Sequence, residues 1–367
     1  MRIISIVIGT LEIPLIRPFI TAVRQTSSVK DVVIMIHTDC GNVGYGSAAS
    51  TPAITGDTTN SIIYAIENII APQLIGHDIH DFNQLIHLLH NSLQNNNSAK
   101  AAIDMALYDL FAQSCQLPLY KLLGGNVNQI KTCITISARD IGSMVADAKM
   151  FKELGFRTIK IKAGINHNDD LKKIEVIHNA IGDEIKIIID ANQGWNPKDA
   201  IKIINILEKQ EINIAFIEQP VKAHDLQGLK FVRDNTNLTI IADESCFNVP
   251  DTLEIANKKI SDGINIKLMK CGGIYNANAM YSIATNSHLK CMAGCMLESP
   301  IGVNAIAHFM AAKMDILYGD FDPLALIKYN PIQGGATIEK DVITLSEKYG
   351  LGIDGVIEGF TIINTVE

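Results

Sequence analysis

From residue 130 onward, short β-branched runs alternate with amphipathic helical segments at a regular interval. Each run ends in a polar residue, and successive ends are separated by 24 to 28 residues. The eight ends are Thr135, Lys162, Asp190, Glu218, Asp243, Lys267, Cys295 and Asp320. This interval accommodates one strand, one helix and two loops, and parallel strands need such crossovers. The pattern therefore predicts an α/β fold with a (β/α)8-type, modified TIM barrel.

The competing arrangement is a doubly wound open sheet. Such a sheet rarely needs eight regular units, and no GxGxxG sequence follows the first strand of this series. In a barrel, the residues at the carboxyl ends of the strands meet at one mouth. We therefore favour the barrel and expect the polar strand ends to form the functional site.

The first third of the chain has a different pattern. β-branched runs at residues 2–9 and 31–38 predict antiparallel strands. Residues 15–30, which include Pro18 and a Thr/Ser cluster, are expected to form a loop between them. Helical patterns lie at about residues 60–70, 80–94 and 98–115. Ser98 is the expected N-cap of the last of these helices.

These patterns divide the chain into three parts. Residues 1–125, which close with the sequence LLGG, are expected to form an α+β capping domain. Residues 126–335 are expected to form the catalytic barrel. Residues 336–367 are β-rich and have no matching helix unit, so we expect this tail to return to the N-terminal block.

Composition and charge narrow the class of function. Of the 367 residues, 47% are hydrophobic and 19% are charged, so a large core is available and general disorder is excluded. The formal net charge is −8, which disfavours nucleic acids and anionic membranes as partners. We therefore expect a small-molecule substrate.

The cysteines and the N-terminal sequence bear on the compartment. The apolar run at residues 3–8 is shorter than a signal peptide or a membrane span requires. The seven cysteines are odd in number and form no CxxC pair. This pattern argues against a disulfide framework and against a zinc site. We therefore expect a cytoplasmic location.

The second predicted strand carries two candidate catalytic lysines, Lys160 and Lys162. Side chains alternate along a strand, so both lysines point the same way, and in a barrel they face the interior. Two ammonium groups at such a short separation repel each other, and this repulsion lowers the pKa of at least one of them. A lysine neutral near pH 7 can act as a base. The alternative is an exposed edge strand with solvated lysines.

Three acids end the next three apolar runs: Asp190, Glu218 and Asp243. A carboxylate at the end of a buried strand is unfavourable unless it is paired or bound to a metal. Hard oxygen ligands suit Mg²⁺, and no His or Cys stands at these positions to suggest Zn²⁺. The alternative is that each acid is a helix N-cap or an ion-pair partner. The repeat on consecutive strands favours a metal site.

Two further strand ends complete the set. Lys267 follows the sixth strand, which lies opposite the second in an eight-stranded ring, so Lys162 and Lys267 are expected to flank the metal. That arrangement suits removal of a proton from one face of a carbon and its return to the other. Asp320 and Asp322 share one side of the eighth strand and could bind a substrate ammonium. A turn with solvated acids is the alternative.

Together these residues resemble the enolase superfamily, in its muconate-lactonizing-enzyme-like branch. The matches are the KxK of Lys160 and Lys162, the three acids, and Lys267 within NIKLMKCGG. The helix AAIDMALYDLFAQ followed by PLYKLLGG is also similar, and the likeness covers nearly the whole chain. The mandelate-racemase-like branch would show a His base on strand seven, where this chain has Cys295. Asp320 and Asp322 resemble the DxD signature of the dipeptide epimerases.

The resemblance implies roles for further residues. In the dipeptide epimerases the DxD acids bind the free amino group of the dipeptide, and Mg²⁺ binds its C-terminal carboxylate. Arg24 matches the family's feature for Ala-Glu specificity, where a cation binds a side-chain carboxylate; a surface arginine is the alternative. Lys160 is expected to stabilise charge on the substrate. Thr135, Cys295 and Leu297 match other substrate contacts.

The reaction implied is the Mg²⁺-dependent interconversion of L-Ala-D-Glu and L-Ala-L-Glu. One of Lys162 and Lys267 would remove the glutamate α-proton to give an enediolate, and the other would reprotonate the opposite face. We expect a homo-oligomer with a dipeptide substrate, and the family suggests murein peptide metabolism. The alternatives are a cycloisomerase or o-succinylbenzoate-synthase-like lyase on the same scaffold, and a non-catalytic metal-bound barrel.

Overall fold

The computed structural model describes the backbone of all 367 residues and every side chain except those of residues 167 and 168. The N-terminal part forms an antiparallel sheet covered by helices. A π-helical turn at Ile66–Ile70 joins the first two helices. The elements are β1 (Ile3–Ile20), β2 (Gln25–Thr38), β3 (Val43–Ala49), α1 (Thr59–Ala65), α2 (Ala71–Leu74), α3 (Phe82–Asn91), α4 (Asn97–Ser114) and α5 (Leu119–Leu122).

The segment expected as a loop at residues 15–30 is mostly strand, so that prediction was wrong. β1 and β2 stay paired as far as Ile20 and Gln25, which leaves only residues 21–24 as the tip of a long hairpin. The prolines are tolerated because the register shifts between Pro14 and Phe19, where a bulge removes the need for regular ladder bonds. The hairpin carries its tip to the mouth of the barrel.

The start of α4 also differs from the prediction. The N-cap position belongs to Asn96, whose backbone is left-handed with φ 50°, and its side chain makes no capping hydrogen bond. The backbone N–H of Ser98 instead donates to Oδ2 of Asp57 at 3.0 Å. The cap thus comes from a carboxylate 41 residues earlier in the chain, which a local sequence pattern does not reveal.

The second part of the chain alternates strands and helices as predicted. After β4 (Gln129–Lys131), the strands of the barrel are β5 (Ile134–Ile136), β6 (Thr158–Lys162), β7 (Lys186–Asp190), β8 (Ile214–Glu218), β9 (Ile240–Ala242), β10 (Gly263–Ile266), β11 (Lys290–Gly294) and β12 (Ile316–Asp320). The helices are α6 (Ile141–Glu153), α7 (His167–Ile181), α8 (Pro197–Lys209), α9 (Leu226–Asp234), α10 (Val249–Lys258), α11 (Leu268–Cys271), α12 (Ile274–Asn286), α13 (Pro300–Ala311) and α14 (Pro323–Leu326).

The eight strands pair in parallel in chain order, from β5 to β12. The ring closes through a single parallel bridge between Thr132 and Gly319, where the N–H of Cys133 donates to the Gly319 carbonyl at 2.9 Å. This closure confirms the predicted barrel and excludes the open sheet. Asn196 caps α8 ahead of Pro197, and its side chain accepts from the N–H of Asp199.

The tail returns to the N-terminal sheet. Its strands are β13 (Ile332–Gly334), β14 (Thr337–Glu339), β15 (Val342–Thr344), β16 (Ile353–Val356) and β17 (Phe360–Val366). β17 pairs antiparallel with β1, so the capping sheet has the order β17-β1-β2-β3. This confirms the predicted α+β cap built from both ends of the sequence.

An apolar layer fills the barrel below its mouth. Its buried residues are Cys133, Ile188, Phe216, Ile241 and Met292. The first four lie two residues before Thr135, Asp190, Glu218 and Asp243, and therefore share their inward face. The barrel is thus packed beneath the polar strand ends and open only above them. Among the described residues, no helix is long and apolar enough to cross a membrane.

Candidate active site

The three acids predicted as metal ligands meet at the mouth of the barrel. Asp190 ends β7 and pairs in register with Glu218, which ends β8. Asp243 directly follows β9, the next strand in the ring. All three side chains are at most 2% exposed. Three buried carboxylates at adjacent strand ends need cations as neighbours, and the structure supplies four lysines.

Lys160 lies at the centre of the acidic cluster. Its Nζ is 3.0 Å from Oδ2 of Asp190, 2.7 Å from Oε2 of Glu218 and 2.8 Å from Oδ2 of Asp320. The Glu218 contact is an ion pair without hydrogen-bond geometry. Burial disfavours the charged ammonium, but Asp190, Asp320 and Glu218 outweigh it and hold the pKa of Lys160 well above its usual value.

The two proposed bases lie on opposite sides of the site. Nζ of Lys162, at the end of β6, donates to Oδ2 of Asp190 at 2.6 Å. Nζ of Lys267, which follows β10, donates to Oδ2 of Asp243 at 2.7 Å. Both lysines line the same cavity. Each base is therefore bound to a different member of the acid triad.

The predicted lowering of a lysine pKa by mutual repulsion does not match the structure. Carboxylates separate the lysines. Burial opposes the charge of Lys267, but attraction by Asp243 and Glu218 raises its pKa above the usual value. Any divalent cation that neutralises these acids removes this stabilisation of the ammonium form.

Lys270 is a site residue that the sequence analysis missed. It is fully buried, and its Nζ donates to both the carbonyl oxygen and Oδ1 of Asp243 at 2.6 Å, and to the carbonyl oxygen of Asn265 at 2.9 Å. Because it sits within the helical α11, no strand alternation marked it. The NIKLMKCGG sequence was the available signal. Lys270 fixes one oxygen of Asp243 and leaves the other directed toward Lys267.

Gln219 holds the backbone of the same residue, Asp243. Its Oε1 accepts the N–H of Asp243 at 2.8 Å and that of Ser245 at 3.1 Å, while its amide donates to the Ser245 hydroxyl. Its backbone is left-handed with φ 37°, an unfavourable conformation for a residue with a Cβ. The strained residue after Glu218 therefore orients the next acid in the ring.

We expect Lys270→Met to weaken Mg²⁺ binding by roughly tenfold to hundredfold, because residues that orient a ligand contribute about that much to metal affinity. Titration calorimetry of the metal-free protein measures this directly. Lys258→Met, at an exposed lysine on α10, is the matched control and should bind as the unaltered protein does. Equal affinities for both variants would contradict the role of Lys270.

Asp320 and Asp322 differ in whether their carboxylate oxygens already have partners in the protein. Oδ2 of Asp320 contacts Lys160, and its Oδ1 accepts from the thiol of Cys133 at 3.4 Å. Oδ2 of Asp322 is buried and has no hydrogen-bond partner among the described residues. Burial and then the charge of Asp320 raise the pKa of Asp322 to about 7. Asp322 therefore presents the free acceptor in the cavity, where a cationic group would be stabilised.

Arg24 lies at the tip of the β1–β2 hairpin and lines the cavity. Its guanidinium is 3.5 Å from the hydroxyl of Thr51 and has no ion-pair partner among the described side chains. Burial lowers its pKa from the usual value. The cavity measures about 490 Å³ including its open mouth, and Thr135, Cys295 and Leu297 also line it. Arg24 and Asp322, whose Oδ2 has no hydrogen-bond partner among the described residues, thus line one pocket.

The three acids offer only oxygen donors to a metal ion. Among the described residues, no group of three or more His, Cys, Asp or Glu side chains is already arranged to hold one, and each triad acid is ion-paired to a lysine. The chemistry fits Mg²⁺, because all donors are carboxylate oxygens. Oε2 of Glu218 is buried and makes no hydrogen bond, and its contact with Lys160 is an ion pair without hydrogen-bond geometry, so this oxygen keeps a lone pair for a metal ion.

The comparisons with known proteins place this site in a family. Residues 3–124 match the mandelate racemase / muconate lactonizing enzyme N-terminal domain, and residues 143–356 match the enolase C-terminal domain-like family. The fold and the site together indicate a class of enzymes in which a metal ion assists the chemistry at the mouth of a capped barrel. The chain belongs to the mandelate racemase / muconate lactonizing enzyme family of the enolase superfamily.

Three similar proteins are informative. An L-Ala-D/L-Glu epimerase from Clostridium acetobutylicum is 48% identical over 96% of this chain and 98% of its own length. A substrate-liganded structure of the Bacillus subtilis L-Ala-D/L-Glu epimerase has a TM-score of 0.96 with 40% identity, covering 98% and 100%. An Enterococcus faecalis dipeptide epimerase, in complex with Mg and L-Leu-L-Tyr, has a TM-score of 0.93 with 39% identity, covering 96% and 99%.

Proposed function

We propose that this protein is a Mg²⁺-dependent dipeptide epimerase that inverts the α-carbon of the C-terminal residue, with L-Ala-D/L-Glu as the preferred substrate. The observation that carries the proposal is the placement of Lys162 and Lys267 on opposite strands, both facing one cavity. A base on each side of a carbon is what inversion by proton transfer requires. The epimerase names of relatives up to 48% identical support it.

Asp190, Glu218 and Asp243 would hold the metal. Bound Mg²⁺ supplies a Lewis acid that increases the acidity of the substrate's α-proton by stabilising negative charge on its carboxylate. Lys270 and Gln219 orient Asp243 for this purpose. Lys160, at the centre of the acids, is placed to stabilise the charge of the enediolate from below.

Proton transfer uses the two remaining lysines. One of Lys162 and Lys267 accepts the α-proton, and the other donates a proton to the opposite face. Each base must be able to gain and lose a proton. Each donates a hydrogen bond to a carboxylate of the proposed metal site and not to an acid outside that site. Charge neutralisation at Asp243 and Glu218 therefore lowers the proton affinity of Lys267, whose pKa these acids raise.

The other end of the cavity would recognise the N-terminal residue. Asp322, with its free oxygen, and Asp320 are placed to bind the dipeptide's ammonium group. Thr135, Cys295 and Leu297 also line this cavity. Arg24, which has no ion-pair partner among the described side chains, is placed to bind a side-chain carboxylate in a bidentate manner.

The deciding experiment is proton NMR in D₂O with Mg²⁺ and separate pools of L,L-dipeptides. We expect the α-proton signal of the C-terminal residue to disappear, with Ala-Glu fastest, and the exchange to stop when EDTA removes the metal. Exchange led by another dipeptide, such as Leu-Tyr, would keep the reaction and reject the role of Arg24. Absence of exchange in every pool would reject the epimerase and favour the lyase alternative.

Arg24→Met tests substrate selectivity. We expect kcat/KM for Ala-Glu to fall roughly 10- to 100-fold, because a charge-assisted hydrogen bond to the γ-carboxylate is lost. Activity toward dipeptides with an apolar C-terminal residue should be nearly unchanged. Arg157→Met, at an exposed arginine, is the control and should alter neither. An equal loss for acidic and apolar substrates would show that Arg24 acts on the hairpin rather than on selectivity.

We also propose the wider setting that the family suggests. All seven cysteines are unpaired, which supports a reducing cytoplasm. The family alone suggests the turnover of murein-derived dipeptides. We propose domain limits at residues 125 and 335, of which the first falls next to the end of the N-terminal family match at residue 124. We also propose that the protein forms a homo-oligomer. Sedimentation analysis would test the assembly.

A further inference from the structure

The cap contacts the barrel directly beside Lys270, the lysine that holds one oxygen of Asp243. The contact is made by the cap helix α4 against the segment that joins α11 to α12. Asp104 on α4 and Lys270 are both fully buried. Neither of them lines the substrate cavity. The contact therefore belongs to the support of the site and not to the wall of the pocket.

Asn97, in the first turn of α4, holds the backbone of Lys270. Its side-chain amide donates to the Lys270 carbonyl oxygen at 2.6 Å, across 173 residues of sequence. Two left-handed residues come immediately before it, Asn95 with φ 53° and Asn96 with φ 50°. Asn tolerates this conformation better than most residues with a side chain, yet two in succession remain unfavourable. Such strain persists only where the surrounding structure fixes it, and here the strained turn places Asn97 against the barrel.

Asp104 holds the other end of the same segment. Its Oδ1 accepts the N–H of Ile274 at 2.5 Å, and its Oδ2 accepts that of Tyr275 at 3.4 Å. These N–H groups begin α12, whose own N-cap residue is Gly273 and has no side chain to offer. A carboxylate of the cap thus takes the place of the missing N-cap of a barrel helix and meets the positive end of its dipole.

Gly273 makes this close approach possible. Its φ is +120°, and a Cβ at this position would lie 2.2 Å from Cγ of Asp104. A side chain at residue 273 would therefore force α4 away from the barrel. The second glycine of the KCGG sequence serves the contact between cap and barrel as well as the turn itself.

Lys270 connects these anchors to the acid triad. Its ammonium donates to the carbonyl oxygen and to Oδ1 of Asp243, both at 2.6 Å. α11 has only four residues and all of them are buried, so one side chain separates the carbonyl held by Asn97 from the carboxylate of Asp243. In a close-packed interior, a displacement of this backbone is transmitted to the group that the side chain holds.

We propose that Asn97 and Asp104 are positioning residues of the metal site, which fix the segment from Lys270 to Tyr275 from the cap and so keep the Lys270 ammonium on Asp243. The inference deepens the proposed function and rests on it, since Asp243 is one of the three proposed Mg²⁺ ligands. The cap then contributes more than Arg24 to the site, because through α4 it also supports the metal ligands.

The test is a double-mutant cycle in Mg²⁺ affinity, measured by titration calorimetry on the metal-free full chain. Asn97→Ala should weaken binding by about tenfold, the lower end for a partner that orients a metal ligand. In the Lys270→Met background the same change should alter the affinity by less than about twofold, because its route to Asp243 is already lost. Ala is a better helix former than Asn, so the variant does not weaken α4 itself.

Asn304→Ala is the matched control. The amide of Asn304 likewise donates to a distant carbonyl oxygen, that of Leu351 at 2.8 Å, but this bond does not lead to the acid triad. The control should lower the urea midpoint and leave the Mg²⁺ affinity unchanged. Asp104→Ala should weaken Mg²⁺ binding, whereas Asp104→Asn, which keeps an acceptor for the Ile274 N–H, should restore most of the affinity.

Unchanged affinity in Asn97→Ala, an equal loss in both backgrounds, or the same loss in Asn304→Ala would each overturn the inference. If Asp104→Ala fails to fold, the half-buried Asn97 carries the decision.

A readout without metal separates this inference from the proposed function. Absence of Mg²⁺ binding by the unaltered protein would reject the proposed function, and hydrogen exchange of the metal-free protein then decides the positioning role. The amides of residues 243–246 should exchange faster in Asn97→Ala than in Asn304→Ala. Equal exchange in the two variants would overturn the link from α4 to Asp243.

Discussion

Lys162→Ala and Lys267→Ala are each expected to lose epimerisation by about 10²- to 10⁴-fold, the usual contribution of a positioned acid or base. Each variant should nevertheless still exchange the α-proton of one epimer with solvent, and the two variants should retain opposite epimers. The reason is geometric: the lysines reach the cavity from opposite strands, so each faces one side of the α-carbon. Proton NMR in D₂O with the separated L,L and L,D dipeptides measures both effects.

The control for these variants is Lys186→Ala, at an exposed lysine that begins β7 at the far end of the barrel. It should leave both activities unchanged. Normal epimerisation by Lys162→Ala would remove this lysine from the mechanism. Loss of exchange for both epimers in a well-folded single variant would replace the two-base scheme with one in which the lysines act together on a single face.

Glu218→Gln is expected to abolish Mg²⁺ binding and to reduce activity by roughly a hundredfold or more, since a Lewis acid contributes several kcal/mol to charge stabilisation. The metal-free protein should be at least as stable as before. Glu218 is fully buried, one of its oxygens makes no hydrogen bond, and burial raises its pKa to about 7. Removal of a buried charge that is repelled by the neighbouring Asp190 and Asp243 commonly stabilises a fold at the cost of function.

Trp195 offers a direct measurement of metal binding in this variant. It is the only tryptophan in the sequence, follows Asp190 by five residues and donates from its indole to Asp170 at 2.8 Å. Its fluorescence should respond to added Mg²⁺ in the unaltered protein and not in Glu218→Gln. Glu208→Gln, which removes a charge far from the site on α8, serves as the control. A preserved response in Glu218→Gln would remove Glu218 from the ligand set.

The barrel was predictable because its signal is repeated. Each unit contributes an apolar run that ends in a polar residue, and eight units at nearly equal intervals support one another. The β1–β2 hairpin was not predictable from the sequence. Pro14 and Pro18 are local signals of a loop, while the pairing that overrides them comes from the partner strand. The cap of α4 has the same origin, since Asp57 reaches Ser98 from another segment.

The candidate site divides in a similar way. Residues at strand ends, such as Asp190 and Lys162, follow from alternation and position. Lys270 and Gln219 do not, because their importance depends on what they touch in the folded protein. The lysine pKa values were misjudged for a related reason: two lysines on the same face of one strand suggested repulsion, whereas the fold places the Asp190 carboxylate between them.

The pairing of β17 with β1 has a consequence for how the protein is made. Ile6 lies opposite Val366, so the two strands are synthesised 360 residues apart. While the ribosome produces the intervening barrel, one edge of β1 has no partner and is open to pairing with other chains. The barrel units, by contrast, pair with neighbours made shortly before them. We therefore expect the cap to mature last, and slow translation or crowded nascent chains to cause aggregation through β1 before they affect the barrel.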